Sequence, residues 1–308
     1  MDLHLNCKLK MKKSILIIGK GSSGSRFKKK LKESFNVLNI SSKNFKKTLL
    51  KKLHFDLIIL SSPASFHINH LLMCKNHGDN FLIEKPLTNS FIDLKKIKDF
   101  GKKKIFINYN LRELEIIKNI KKTLKSIKNK GKLHFCKVHC GYNLRYWRKK
   151  KINKTVSYSK KLGGGALFEL SHELDLIHSF FGKPSYIKSI SKKLSKSVKD
   201  VEDIFISNMF YFKKKLLLTL NLNFLDNYKK RFFEFTYSNC NIIIDLTKHT
   251  LTIIKNNKLK VVKFADNLDN TYYIIPEKIL NKDYKNLCDL KESIILSKFI
   301  FDIEKSTK

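Results

Sequence analysis

The sequence is poor in glycine and proline, in acidic residues and in long apolar runs. Eleven glycines and four prolines among 308 residues are too few for a linker-rich, collagen-like or low-complexity chain. No apolar run approaches the roughly 20 residues that cross a bilayer, and the lysine-bearing start has no apolar core of signal-peptide length. The remaining composition, 42% hydrophobic and 11% aromatic, is enough for a packed core. We therefore expect a globular, cytoplasmic protein.

The chain also lacks paired cysteines. Its six cysteines form no CxxC motif, which is typical of reduced thiols in the cytosol. One group, His134, Cys136, His139 and Cys140, lies close together along the chain. Because side chains alternate along a strand, His139 would point away from the other three, and we expect no metal site there.

Acidic residues are scarce, with 26 Asp and Glu against 64 Lys and Arg, so the formal net charge is +38. A surface built for phosphate would use arginine, which binds phosphate through two hydrogen bonds, and would concentrate its charge on one element. Only five residues are arginine, and the lysines are spread from end to end. We therefore expect neither a specific nucleic-acid partner nor a membrane partner.

The N-terminal third alternates short β-branched runs with helical stretches. This alternation predicts an α/β fold with a doubly wound parallel sheet, whose ligand lies beyond the carboxyl ends of the strands. The predicted strands are Ser14–Gly19, Asn36–Ile40, Asp56–Leu60, Asn80–Ile83 and Lys104–Asn108, and the predicted helices are Lys20–Leu31, Phe45–Leu53, His67–His77 and Ser90–Phe100.

A GxGxxG motif directly follows the first predicted strand and opens a helix. Gly19 permits the tight turn, Gly21 lets the backbone approach a pyrophosphate, and Gly24 allows the helix to pack closely on the strand. Ser22 and Ser23 begin the helix, whose N–H groups would face the anion. The motif in this position predicts dinucleotide binding. A glycine-rich turn with a purely structural role is the alternative.

The second predicted strand is not followed by an acidic residue. A carboxylate there would accept hydrogen bonds from the adenosine ribose and would favour NAD. Ser41, Ser42 and Lys43 instead offer hydroxyls and a cation, which suit a 2′-phosphate. We expect NAD or NADP as cofactor, with NADP slightly favoured.

Three further segments follow in order along the same domain: LSSPASFH at residues 60–67, FLIEKPL at residues 81–87 and NYNLR at residues 108–112. Together with the glycine motif, this region resembles the Gfo/Idh/MocA oxidoreductases, the relatives of glucose-fructose oxidoreductase and inositol dehydrogenase. The resemblance implies that Lys85 lies beside the nicotinamide and the substrate hydroxyl. It also implies a cofactor pocket shaped by Ser62, Pro63, His67 and Glu84, and substrate contacts from Asn110 and Arg112.

Elementary chemistry supports Lys85 independently of the resemblance. A lysine at the end of a buried strand, held by a following proline and partly desolvated, can act as an acid–base group. An ordinary surface lysine is the alternative in a chain this rich in lysine.

A second motif, GGGALFELSHELD, occupies residues 163–175. Glu169, His172 and Asp175 recur every three residues and so would share one side of a predicted helix Ala166–Phe181, where a carboxylate could orient the histidine. The segment resembles the family's GGGxLxDxGxHxxD pattern, which implies that His172 is an acid–base catalyst together with Lys85. Glu169 replaces the family's Asp and stands three residues before His172 rather than four.

The loop before this motif carries the candidate substrate contacts. Trp147 is the single tryptophan, and with Arg145 and Arg148 it could present a ring and two cations to a sugar. Tyr158 follows in the same loop. Core packing is the alternative for Trp147. These segments resemble a branch of the family associated with sugar-nucleotide and nonulosonic-acid pathways.

Short alternating runs in the remaining chain predict a mostly antiparallel, open sheet. We assign residues 1–111 to a dinucleotide-binding domain, with no role for residues 1–10. Residues 112–308 form an α+β substrate-binding and oligomerisation domain, for which the resemblance implies a homodimer or homotetramer. The predicted strands are Tyr186–Ile190, Ile204–Phe212, Lys215–Phe224, Arg231–Tyr237, Asn241–Asp245, Thr250–Ile254 and Leu259–Phe264, and the predicted helices are Glu113–Lys128, Ala166–Phe181 and Asp283–Glu304.

The function that these patterns favour is an NAD(P)-dependent oxidoreductase. It would transfer a hydride between nicotinamide and a CH–OH group of a sugar-like substrate, with Lys85 and His172 as the acid–base pair. Two alternatives stay open: a glycosidase-like relative that retains NAD, and a non-catalytic regulator that binds the dinucleotide.

Overall fold

The computed structural model describes residues 12–46, 50, 52–97, 100–147, 155–196, 198 and 200–307. The N-terminal extension, Arg148 and part of the predicted helix Phe45–Leu53 lie outside the described residues. The strands are β1 Ser14–Ile18, β2 Asn36–Ile40, β3 Leu57–Leu60, β4 Asn80–Glu84, β5 Lys104–Asn108, β6 Leu133–Gly141, β7 Tyr186–Lys192, β8 Ile204–Tyr211, β9 Leu216–Asn223, β10 Lys230–Tyr237, β11 Asn241–Asp245, β12 Thr250–Lys255, β13 Lys258–Lys263 and β14 Cys288–Asp289.

The helices are α1 Ser22–Leu31, α2 His67–Cys74, α3 Phe91–Lys95, α4 Glu115–Ser126, α5 Leu144–Trp147, α6 Ala166–Glu169, α7 His172–Phe181, α8 Thr271–Leu280 and α9 Leu290–Lys305. No helix among the described residues is both long enough and apolar enough to cross a membrane.

The first sheet confirms the predicted α/β fold. Its strand order is β14-β5-β4-β3-β1-β2, and β1 to β5 are parallel to one another. All four residues of β3 and the last four of β1 are buried, because helices cover both faces of a parallel sheet. The carboxyl ends of these strands therefore form one edge, where the glycine motif lies.

One face of this sheet is covered by α1 and, unexpectedly, by α8. Phe27 of α1 packs edge-on against Tyr272 of α8 with 4.8 Å between ring centroids, and Ile275 and Ile279 of α8 join the same buried cluster. The sequence did not predict α8, because its TYYIIP run has no helical alternation of apolar and polar residues.

The predicted C-terminal helix Asp283–Glu304 begins too early. The segment before it contains β14, which pairs antiparallel with β5 at the edge of the first sheet. The helix α9 starts only at Leu290, because the Asp289 side chain caps it by accepting a hydrogen bond from the Glu292 backbone N–H. The last part of the chain thus returns to the first sheet.

The second sheet has the order β13-β12-β11-β10-β6-β9-β8-β7. It is antiparallel except for the β6–β9 pair, which confirms a mostly antiparallel, open sheet. Its buried face packs against α7, whose Phe180 lies 5.9 Å from Phe233 of β10 between ring centroids. Its other face carries exposed apolar side chains, among them Ile190 of β7 and Phe210 of β8, and within the described residues we call it the open face.

The predicted helix Ala166–Phe181 is in fact two helices. The short α6 ends at Glu169, and Leu170 leaves the helical conformation with φ −101° and ψ 31°. The longer α7 then begins at His172. Glu169 and His172 therefore belong to different helices, and the expected alignment of Glu169, His172 and Asp175 on one helix side is wrong.

Candidate active site

The glycine motif forms a tight loop at the carboxyl end of β1. Gly19 has φ +128°, and a Cβ there would lie 2.4 Å from the carbonyl oxygen of Ser61. A Cβ on Gly24 would lie 2.0 Å from the carbonyl oxygen of Gly19, whereas nothing lies within 4 Å of a Cβ on Gly21. Gly19 and Gly24 thus allow β1, α1 and the end of β3 to meet closely, and Gly21 leaves its side open. Ser22 and Ser23 begin α1 beside this opening.

The end of β2 lies next to this loop. The Gly19 backbone N–H donates to the carbonyl oxygen of Ile40, the last residue of β2, at 2.8 Å. Ser41 and Ser42 follow and are half-buried, and Lys43 is exposed. The three residues proposed to meet the cofactor ribose therefore border the glycine loop and include no carboxylate.

His67 ties two loops of the site together. Its Nε2 lies 2.8 Å from the carbonyl oxygen of Ser62, and its Nδ1 lies 2.9 Å from that of Pro86. Pro63 precedes the short 3-10 turn that leads into α2. Because both ring nitrogens meet backbone oxygens inside the protein, His67 fixes the shape of the pocket rather than offering a free nitrogen to a ligand.

Glu84 and Lys85 stand at the carboxyl end of β4. The Asn108 side-chain amide donates to Glu84 Oε1 at 2.9 Å, and burial raises the pKa of Glu84. The Oδ1 atom of Asn108 is buried without a hydrogen-bond partner among the described residues. Lys85 is half-buried, and its Nζ donates to the backbone carbonyl of Glu169 at 2.5 Å.

His172 is the first residue of α7, and the positive charge of Lys85 acts on it. Its ring meets the Tyr109 ring edge-on, with 5.8 Å between centroids. Its Nδ1 is buried without a hydrogen-bond partner in the described part of the chain. Burial, followed by the positive charges of Lys85 and Arg231, lowers the pKa of His172 well below its ordinary value. His172 is therefore neutral at pH 7 and can accept a proton.

The structure brings Arg112 and Asp175 together rather than directing them at an open cleft. Arg112 Nε donates to Asp175 Oδ2 at 2.9 Å, and Nη2 donates to Oδ1 at 2.5 Å. The same guanidinium donates twice to Glu292 of α9, at 2.9 Å each. Asn110 is buried, and its amide donates to Thr271 Oγ1 at 3.1 Å. These contacts join the first sheet to α7, α8 and α9.

The role predicted for the carboxylate of Glu169 remains a prediction. Its backbone carbonyl, not its carboxylate, accepts the hydrogen bond from Lys85. The glycines that precede α6 bring this segment to the first domain, since a Cβ on Gly163 would lie 3.0 Å from Ala64 Cβ.

The proposed substrate loop is only partly described. Trp147 ends α5, is half-buried, and its ring centroid lies 6.1 Å from that of Phe224. Tyr158 lies in a 3-10 turn and packs in part against the core. Arg148 lies outside the described residues.

An ion pair that the sequence analysis did not identify lies beside His172. Arg231 Nε donates to Glu173 Oε1 at 2.5 Å and Nη2 donates to Oε2 at 3.1 Å. Tyr109 and Asn108 were also missed. Glu173 could have been noticed as a carboxylate adjacent to His172, but its partner is 58 positions away.

The first domain has a Rossmann fold, with its glycine loop at the carboxyl edge of a parallel sheet. The second domain is α+β and contains the helix that begins with His172. This arrangement is typical of a dinucleotide-binding protein of two domains. Residues 5–107 match the Gfo/Idh/MocA family model, described as an oxidoreductase family with an NAD-binding Rossmann fold. The first domain is therefore similar to that of the Gfo/Idh/MocA oxidoreductases, and the resemblance seen in the sequence is confirmed over these residues.

Solved structures of other proteins share the whole two-domain fold. An inositol dehydrogenase homologue complexed with NAD+ from Azotobacter vinelandii has a TM-score of 0.78 at 9% identity, covering 97% of this chain and 96% of that one. The UDP-N-acetylglucosamine 3-dehydrogenase GnnA from Acidithiobacillus ferrooxidans has a TM-score of 0.74 at 15% identity, covering 96% and 97%.

The WlbA dehydrogenase from Bordetella pertussis, in complex with NADH and UDP-GlcNAcA, likewise has a TM-score of 0.74 at 15% identity and covers 96% of both chains. No curated protein sequence matches this chain significantly.

Proposed function

We propose that the protein is an NAD(P)-dependent oxidoreductase that acts on a CH–OH group of a sugar-like substrate. The observation that carries this proposal is that Lys85, at the edge of the first sheet that also holds the glycine loop, lies near enough to His172 to act on it electrostatically. Lys85 reaches the end of α6 through its hydrogen bond to Glu169, and His172 begins the next helix.

The residues of the first domain fit a nicotinamide dinucleotide. The opening beside Gly21 and the N-terminus of α1 would hold the pyrophosphate, because the first N–H groups of a helix attract anions. Ser41, Ser42 and Lys43 would meet the adenosine ribose. The unpartnered Asn108 Oδ1 offers an acceptor to an amide or hydroxyl donor. A bound nicotinamide supplies the hydride donor or acceptor.

We assign His172 and Lys85 different roles in the transfer of the hydroxyl proton. In the oxidative direction, neutral His172 accepts the proton of the substrate hydroxyl, while the ammonium group of Lys85 stabilises the negative charge that develops on the oxygen. In the reductive direction, the proton returns to the same oxygen. Asp175 takes no part in this proton transfer, because both of its carboxylate oxygens accept hydrogen bonds from Arg112.

The cofactor preference is a separate proposal. The residues after β2 present hydroxyls and the exposed ammonium of Lys43, with no carboxylate, and this favours NADP over NAD. Fluorescence titration with NADPH and with NADH measures the preference directly. Lys43→Glu is expected to weaken NADPH binding about tenfold and to leave NADH binding almost unchanged. Equal weakening of both would contradict a 2′-phosphate contact.

Sugar nucleotides and acidic sugars are the substrates to test first. Two of the structural neighbours are described by UDP-N-acetylglucosamine or by UDP-GlcNAcA. Thermal-shift measurements with the tighter cofactor present would select ligands from these classes, and turnover would then be followed by NAD(P)H absorbance.

Two variants test the chemistry. Lys85→Met and His172→Gln are each expected to lower turnover at least about 100-fold while cofactor binding is retained, since acid–base groups contribute factors of this size. Lys29→Met removes an exposed lysine of α1 and serves as the matched control. Unchanged turnover in both site variants would refute the mechanism, and cofactor binding without any turnover would favour a non-catalytic regulator.

The open face of the second sheet is proposed as the contact between copies of the chain. Tyr186 and Phe210 lie opposite each other on β7 and β8 with 52% and 38% of their surface exposed. Ile190 and Ile206 form another pair on the same face, beyond Lys188 and Asn208, and are 58% and 36% exposed. Burying such a face would stabilise a homodimer or homotetramer.

A further inference from the structure

Two buried ion pairs hold the first turns of α7, the helix that begins with the proposed base. Glu173 pairs with Arg231 of β10, and Asp175 pairs with Arg112 from the segment after β5. The helix start is therefore attached to the second sheet on one side and to the turn that follows β5 on the other. His172 directly precedes Glu173 in the sequence.

The Glu173–Arg231 ion pair is buried and bidentate. The Glu173 side chain has no exposed surface, and that of Arg231 is 13% exposed. Nε and Nη2 of the guanidinium each donate to a different carboxylate oxygen, which fixes orientation as well as distance. Arg231 lies opposite Cys140 of β6, within a strand pair that restrains its backbone.

Stability alone does not explain such a pair. The free energy lost when two charges are moved out of water is about as large as the free energy gained from their attraction. Apolar side chains of similar volume often stabilise a protein as well or better. A buried pair does hold its two elements in one geometry, because a small displacement would leave both charges unsatisfied.

Several charged or titratable groups approach His172 from the surrounding elements. Lys85 comes from the end of β4, Tyr109 follows β5, and Arg231 comes from β10. Burial and the two cations disfavour the imidazolium form of His172. Glu173 balances the charge of Arg231, so the two partners act on His172 with opposite sign.

We propose that Arg231 and Glu173 are positioning residues for His172: their ion pair locks the first turn of α7 onto β10 and holds the His172 ring beside Lys85. The proposal rests on the proposed function, in which His172 is the proton acceptor. Neither residue needs to touch the substrate to perform this role.

The test is the titration of His172 by NMR in the full-length protein, with its resonance assigned by its loss in His172→Gln. Arg231→Met leaves Glu173 as an uncompensated buried anion, and the pKa of His172 is expected to rise by about one pH unit or more. Glu173→Gln leaves Arg231 uncompensated, and His172 is expected to stay unprotonated to a lower pH than in the wild type. Arg231→Lys keeps the charge and is expected to restore most of the wild-type titration.

A structural role without influence on His172 would move the melting temperature of these variants but not the titration. Lys29→Met, which removes an exposed cation of α1, is the control. If Arg231→Met does not fold, the double variant Arg231→Met/Glu173→Gln decides, since it leaves no buried charge unpaired: loss of the nuclear Overhauser effects between the His172 and Tyr109 rings supports the proposal, and unchanged effects overturn it.

Failure of the proposed function has a different signature. A wild-type protein that binds neither NADH nor NADPH refutes the oxidoreductase proposal, yet its His172 titration can still be measured. Cofactor binding with a titration that is identical in all variants refutes the positioning role alone.

Discussion

Burial lowers the pKa of several histidines near the site. It lowers the pKa of His67 and of His172, and it lowers the pKa of His70 to about 4. A neutral ring can accept a proton at pH 7, which suits His172. The same burial makes the fold sensitive to acid, since an unfolded histidine binds a proton near pH 6.5 and these folded ones do not.

Stability is therefore expected to fall as the pH drops from 7 to 5. The folded pKa of His70, about 4, lies below its unfolded value, so the stabilising contribution is present above the unfolded pKa and is lost on acidification. His70 alone accounts for about 2 kcal/mol over this interval. Urea denaturation at both pH values measures the loss. His70→Gln is expected to reduce it by that amount, and an undiminished loss would contradict the assignment to His70.

For individual residues, the sequence predicted which side chains would lie near the site but not which other side chains they would contact. Gly19, Gly24, Lys85 and His172 lie where their motifs indicate, because each motif is local. Arg112 was expected to contact substrate, yet its donors bind carboxylates 63 and 180 positions away. Such ion pairs depend on the tertiary fold, and no spacing of residues in the sequence predicts them.

At the scale of elements, the β1–α1 unit shows why its glycines are not equivalent. Gly24→Ala is expected to destabilise the protein by about 3 kcal/mol, because the new methyl group would overlap the carbonyl of Gly19 and neither backbone can move freely. Gly21→Ala meets no atom and is expected to cost about 1 kcal/mol or less, yet to weaken cofactor binding by occupying the open side of the loop.

Thermal denaturation and NADH titration distinguish the two effects. A stable Gly24→Ala variant would contradict the close packing of α1 on β1. A Gly21→Ala variant that binds NADH as tightly as the wild type would show that the dinucleotide does not approach this side.

Strands were predicted better than helices. Most strands of the first sheet are apolar runs and several of the second alternate between buried and exposed residues, and both patterns are visible locally. The break at Leu170 was missed, because GALFELSHELDLI has helical periodicity throughout and no glycine or proline after Gly165. The break arises where α6 meets Lys85 and α7 turns toward β10, which is a tertiary requirement.

At the scale of the whole molecule, the open face of the second sheet predicts self-association. Phe210→Asp and Ile206→Asp would place charges in the middle of the proposed contact and are expected to convert an oligomer into a monomer. Light scattering coupled to size-exclusion chromatography measures the mass, with Lys29→Asp on α1 as the control. A wild-type protein that is monomeric at about 100 μM would contradict the proposed contact.

The return of α8 and β14 to the first sheet has a consequence for synthesis on the ribosome. When residue 111 has been translated, Ile15, Ile17 and Phe27 still lack the cover that Ile275 and Ile279 supply in the finished protein. At roughly 5 to 20 residues per second, the nascent chain waits about 10 to 30 s before that helix is made. During this interval the half-covered sheet exposes an apolar surface that a chaperone would recognise.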